Sequence, residues 1–116
     1  MTNYESLRSR CKLVCNTCYV DRDVLEEELL RHMLVPDATY QPDFDLTVMV
    51  CALNIVSGWV ETARSEGGSR SHGGISVSTD IKAVERNMLR WIRRYGLEPD
   101  DYGLVASVID NGSDRW

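Results

Sequence analysis

Between Asp45 and Glu61 the chain runs for fifteen residues without a charge: Leu46-Thr47-Val48-Met49-Val50-Cys51-Ala52-Leu53-Asn54-Ile55-Val56-Ser57-Gly58-Trp59-Val60. A segment that apolar on nearly every side has to be enclosed, because leaving it in water forfeits about 25 cal/mol per Å² of apolar surface. As a helix it would rise about 22 Å at roughly 1.5 Å per residue, short of a hydrocarbon core of about 30 Å. Two readings remain: a central core helix, or a core helix that also forms a subunit interface. Gly58 weakens the helix locally and leaves room for another backbone to approach.

The rest of the 116-residue chain must wrap this segment, and that length holds one domain. A (β/α)₈ barrel of about 250 residues is excluded, and 43% hydrophobic content excludes intrinsic disorder. The start, Met1-Thr2-Asn3-Tyr4-Glu5, lacks the basic-then-apolar order of a signal peptide. The expectation is a soluble, cytosolic domain.

Hydrophobic spacing divides the chain into helices. Leu7, Cys11, Val14, Cys15 and Cys18 share one face of a helix over 3–17, with Asn3 and Ser6 as capping side chains. Asp21 or Asp23 caps a second helix over 21–33, whose apolar face is Val24, Leu25, Leu29, Leu30 and Met33. Glu26, Glu27 and Glu28 suit its first turns and Arg31 and His32 its end, by complementing the helix dipole. Residues 36–42, with a proline at each end, form a structured connection. Asp43 or Asp45 then caps the core helix, 43–65.

The character changes over 66–79, where glycine pairs precede the alternating Ile75-Ser76-Val77-Ser78, the pattern of a short hairpin. Thr79 or Asp80 caps the next helix, 80–95, closed by Gly96. Ile81, Val84, Met88, Trp91, Ile92 and Tyr95 give that helix one apolar face, and Lys82, Arg86, Arg90, Arg93 and Arg94 lie off it. A short helix opening at Pro99 and a polar tail to Trp116 complete 97–116. A tryptophan on a polar tail implies docking on the same subunit or on a neighbour. The fold expected is mainly α: a bundle of four to five helices with a short glycine-rich β-hairpin before the last main helix.

The cysteines fit this core. Cys11, Cys15 and Cys18 fall at i, i+4 and i+7, and a free cysteine is a small buried hydrophobe. Their C-x3-C-x2-C spacing is also that of radical S-adenosylmethionine enzymes, but those need a barrel this chain cannot build. Zinc would require a fourth ligand from Cys51, His32 or His72, at no recognisable spacing. Neither a metal nor a cofactor is expected. No nucleophile–base arrangement or complete phosphate loop stands out, so no catalytic residue is assigned.

Charge is distributed in blocks. Residues 1–45 carry five basic and nine acidic side chains, 80–96 five and two, and 97–116 one and five. With a net charge of −5 overall, bulk affinity for nucleic acid is not expected. Eleven of the thirteen cations are arginine, whose planar, weakly hydrated fork suits desolvated contacts. The arginine stripe reads as a solvated face, as a surface for an acidic neighbour, or as a DNA contact.

Several short segments together resemble head–tail connector (adaptor) proteins of tailed phages and prophages. They are Met1-Thr2-Asn3-Tyr4-Glu5-Ser6-Leu7, Pro36-Asp37-Ala38-Thr39-Tyr40 before the apolar helix, Ser65-Glu66-Gly67-Gly68 and Gly74-Ile75-Ser76-Val77-Ser78 after it, Ile92-Arg93-Arg94-Tyr95-Gly96, and the terminal Arg115-Trp116. The order is particularly similar to short proteins of prophages in gut Bacteroides-type bacteria. The resemblance implies a non-enzymatic subunit of a homo-oligomeric ring, formed by the isolated chain or only on assembly, seated between the portal and the tail or stopper proteins and extending the DNA channel. Its location would be the bacterial cytoplasm during assembly and then the virion neck, with no membrane contact. Arg86, Arg90, Arg93, Arg94, Trp59 and Trp116 are then the expected subunit and partner contacts. A long helix with Trp59, a glycine loop and an arginine-rich helix closing on Tyr95-Gly96-Leu97-Glu98-Pro99 also resemble a small terminase subunit, which binds DNA for packaging. The acidic 1–45 segment is unlike that family's basic N-terminal module.

Overall fold

A computed structural model describes residues 1–17, 20–65 and 81–104. Four helices follow in order: α1 (Asn3–Val14), α2 (Arg22–Arg31), α3 (Asp45–Ser65) and α4 (Ile81–Arg94). Short 3-10 turns at Pro42–Phe44 and Pro99–Tyr102 precede α3 and follow α4. The fold is mainly helical, and the described residues form no strand. The expected hairpin at 66–79, Cys18 and the tail with Trp116 lie outside the described residues.

The start of α1 shows how completely its backbone is satisfied. Thr2, rather than Asn3 or Ser6, is the cap: its hydroxyl accepts the Glu5 N–H at 3.1 Å, and the Glu5 carboxylate accepts the Thr2 N–H at 2.8 Å. That reciprocal pair holds the Glu5 carboxyl below its ordinary range, the Thr2 backbone bond being the main cause. The next two free N–H groups, of Asn3 and Tyr4, go to the carbonyls of Ala38 and Pro36. Asn3 is buried and donates its side-chain amide to the Val35 carbonyl at 2.9 Å. The proline-bounded connection is therefore structured, as its sequence implies, because it serves as the N-terminal lid of α1.

α1 ends at Val14, three residues before the expected 17. Cys15 is extended (φ −150°), and Asn87 of α4 donates to the Leu13 and Val14 carbonyls at 3.0 and 2.7 Å. A side chain from another helix thus replaces the next helical turn.

α2 is shorter and narrower-faced than its sequence implies. Leu25, Glu28 and Leu29 are its buried side chains, whereas Val24, Leu30 and Met33 are exposed. Asp21 stands at its N-cap position without a side-chain hydrogen bond. The helix ends in a two-bond cap, with Met33 N–H to the Leu30 carbonyl and Leu34 N–H to the Leu29 carbonyl. Met33 takes the left-handed position there, at φ 65°. The same motif closes α4, where Gly96 holds φ 68° and Leu97 N–H reaches the Ile92 carbonyl.

α3 lies at the centre, and α1 packs most extensively along it. Met49, Leu53, Val56, Trp59, Val60 and Ala63 face one hydrophobic cluster, with Val14 and Cys15 of α1 and Val84, Met88, Leu89 and Ile92 of α4. Val48, Cys51, Ala52 and Ile55 face a second cluster, with Leu7 and Cys11 of α1, Leu25 and Leu29 of α2 and Leu34. Two cores on two sides of one helix account for its lack of charge. The whole helical segment from Pro42 to Ala63 extends beyond the fifteen uncharged residues and, unlike them alone, is long and apolar enough to cross a membrane. Over half of its apolar 18-residue stretch is buried in the fold. Gly58 is exposed, and among the described residues nothing outside its own helix lies within 4 Å of where its Cβ would stand.

Candidate functional site: an arginine face and two polar clusters

The apolar stripe expected on α4 packs inward, with Leu89 added to it and with Ile81, Trp91 and Tyr95 partly buried against the core. Arg86, Arg90, Arg93 and Arg94 are consequently displayed outward, all four exposed. Arg86 and Arg90 form no ion pair among the described residues. Arg94 stacks its guanidinium 5.2 Å from the centre of the Trp91 ring, which tilts against Tyr95 at 6.4 Å. The sequence reading groups Trp59 with these arginines as a subunit or partner contact. It is instead 8% exposed within the core shared by α3 and α4, so its apolar area is used inside the subunit.

A second cluster is one that sequence spacing does not reveal. Arg10 of α1 is largely buried and pairs with the Asp45 carboxylate at 2.7 Å. It also donates to the Tyr40 hydroxyl at 2.9 Å, the Tyr95 hydroxyl at 3.3 Å and the Ser6 hydroxyl at 3.3 Å. Tyr95 donates in turn to Asp45 at 3.0 Å. One planar fork therefore joins α1, the 36–41 connection, the start of α3 and the end of α4, which a point charge on a lysine could not do. Asp45, expected as a helix cap, spends its carboxylate on this junction. The Arg10 hydrogen bond is the main reason its carboxyl sits below the ordinary range. Burial, then the bond to Asp45, pushes the Tyr95 hydroxyl up.

The third cluster joins α2 to α3. Glu28 is 7% exposed, and its Oε2 lies 3.1 Å from His32 Nε2 and accepts a hydrogen bond from Asn54 at 2.9 Å. Arg31 holds the other oxygen at 3.2 Å. The Cys51 sulfur, wholly buried, lies 4.0 Å from the Glu28 carbonyl. Glu28, His32 and Cys51 bring one ligating atom each within 4.8 Å of one another, a group among the described residues that could hold a metal ion. His32, read from sequence as a charge at the helix end, does occupy the C-cap of α2 and also turns its ring to Glu28. The i, i+4 spacing of Glu28 and His32 is visible in the sequence; the arrival of Cys51 from α3 is not.

Cys11, Cys15 and Cys51 are free thiols packed in the core, as expected, although Cys15 lies just past the end of α1 and not on its face. Burial pushes Cys11 and Cys51 each up to about 12, with neighbouring thiols adding to the rise at Cys11 and Glu28 at Cys51. Protonated and enclosed, they are poor nucleophiles.

A cleft of about 340 Å³ beside α1 is lined by Tyr4, Arg8, Lys12, Arg22 and the edge of Cys11. Arg22 stacks over the Tyr4 ring at 4.4 Å and pairs with Glu26 at 2.7 Å, so much of the arginine excess serves contacts within the subunit.

Comparison with curated proteins and with solved structures gives no match. A family model matches along the whole chain, residues 1–116, and is described as a family of unknown function. The chain belongs to that family, DUF6706.

Proposed function

We propose that this protein is a non-enzymatic structural subunit that assembles with copies of itself, of the head–tail connector (adaptor) kind, forming a ring between the portal and tail proteins of a phage. The observation that carries this reading is the outward face of α4. Arg86, Arg90, Arg93 and Arg94 are exposed opposite the buried side of the helix, and Arg86 and Arg90 pair with nothing among the described residues. Exposed carboxylates stand on other elements: Asp23 on α2, Asp43 before α3, and Glu98, Asp100 and Asp101 after α4. Arginines on one element and acids on others make a head-to-tail contact that repeats around a closed ring. Leu13, Leu30, Met33, Val35 and Leu46 leave large apolar side chains on the surface, which such contacts would cover. The hairpin of residues 66–79 and the docking role of Trp116 belong to the same reading.

The test is charge reversal. The triple variant Arg86→Glu, Arg90→Glu, Arg94→Glu should remain folded, since all three are exposed, and should lose the self-association of the parent in native mass spectrometry. An unchanged oligomer would sink the reading. Salt-sensitive binding of duplex DNA by the parent in a low-salt gel shift would instead favour the small terminase alternative.

A further inference from the structure

α2 and α3 bring a carboxylate, an imidazole and a thiol to one point. Glu28 on α2 and His32 at its C-cap stand four residues apart, and Cys51 comes from α3. We propose that Glu28, His32 and Cys51 form a binding site for one zinc(II)-type ion that fastens the C-terminal turn of α2 to α3.

Three observations carry this beyond an ordinary ion pair. The donor set mixes sulfur, nitrogen and oxygen, the chemistry that selects zinc over magnesium or calcium, which take oxygen ligands. The spacing also fits. Tetrahedral zinc, with bonds of about 2.0–2.3 Å, places its ligands roughly 3.3–3.8 Å apart. Here the ligand atoms already lie within 4.8 Å of one another, with His32 Nε2 and Glu28 Oε2 at 3.1 Å, so small side-chain rotations close the site. Finally, the carboxylate is held before any ion arrives. Asn54 of α3 donates to Glu28 Oε2 at 2.9 Å, the kind of outer contact that orients a ligating group.

Three protein ligands leave a fourth position, and the half-buried His32 ring gives that position a route to solvent. On binding, the metal replaces the proton of the Cys51 thiol, which passes to solvent, and the sulfur bonds the ion as thiolate. Nothing is oxidised or reduced. Cys11 and Cys15, from the more conspicuous cysteine run of the sequence, are not among its ligands.

The probe is cobalt(II), which reports thiolate ligation and tetrahedral geometry by its absorption. Reduced, metal-free protein should give a sulfur-to-cobalt charge-transfer band and intense visible bands that saturate at one equivalent, and zinc(II) should displace them. His32→Ala, at a half-exposed position, and Cys51→Ala should abolish the bands, with circular dichroism checking that each remains helical. Asn54→Ala should keep them and weaken binding about 10–100-fold. Cys15→Ser should leave them unchanged. Absence of a charge-transfer band at one equivalent, its survival in His32→Ala, or its loss in Cys15→Ser would each overturn the proposal.

Discussion

Met33 stands 92% exposed in a left-handed conformation that an L-residue with a side chain adopts at a cost. Its counterpart at the end of α4 is Gly96, in the same cap and with no described residue beyond its chain neighbours within 4 Å of a Cβ there. The two positions form a matched pair. Met33→Gly should raise stability by about 0.5–1 kcal/mol and Gly96→Ala lower it by about 1 kcal/mol, measured by urea unfolding. Asp45 makes a second prediction at this scale. Its carboxyl is depressed in the fold by Arg10 and then Tyr95, so its stabilisation is present above its unfolded value of about 4. That contribution is lost as pH falls through the lower folded value. Asp45→Asn should therefore be less stable than the parent at pH 7, and the gap should close on acidification below about pH 4. A gap that stays constant with pH would contradict the role given to this pair. Glycine at the α4 terminus was legible in the sequence. Methionine at the α2 terminus was not, because it follows the apolar spacing of the helix it ends.

At the scale of elements, α3 and α4 were readable because burial imposes a strong pattern on them. α3 has two cores to fill, and α4 has one apolar stripe set against arginines. The end of α1 escaped because its determinant, Asn87, is more than 70 residues away in the chain. Local spacing carries Cys15 into the helix, while the fold assigns the last carbonyls to a side chain of α4. Asn87→Ala should consequently cost about 1–2 kcal/mol, and Asn87→Asp, which removes the amide donor, at least as much. Hydrogen exchange should show the added opening concentrated in the last turn of α1. The apolar spacing of α2 implies a wider buried face than the fold gives it, for a similar reason. A helix of ten residues lying against α1 and α3 buries Leu25, Glu28 and Leu29 and leaves Val24 and Leu30 outside.

For the molecule as a whole, the uncharged segment between Asp45 and Glu61 is explained without a second subunit, since both of its packed sides are covered by α1, α2 and α4. Among the described residues the proposed assembly surface is therefore the arginine face of α4 with the exposed apolar side chains, and the buried Trp59 drops out of it. The arginine stripe of the candidate surface was legible as a spacing. The junction at Arg10 and the Glu28–His32–Cys51 cluster were not, because each is assembled from elements far apart in sequence. Contacts between exposed arginines and carboxylates are screened by salt, over about 8–10 Å at ionic strengths near physiological. Sedimentation equilibrium of the intact 13.2 kDa chain across concentration, at low and at high salt, tests the assembly directly. The expected result is a closed oligomer of defined mass at low salt that dissociates as salt is raised. A 13.2 kDa monomer at every concentration and salt would contradict it.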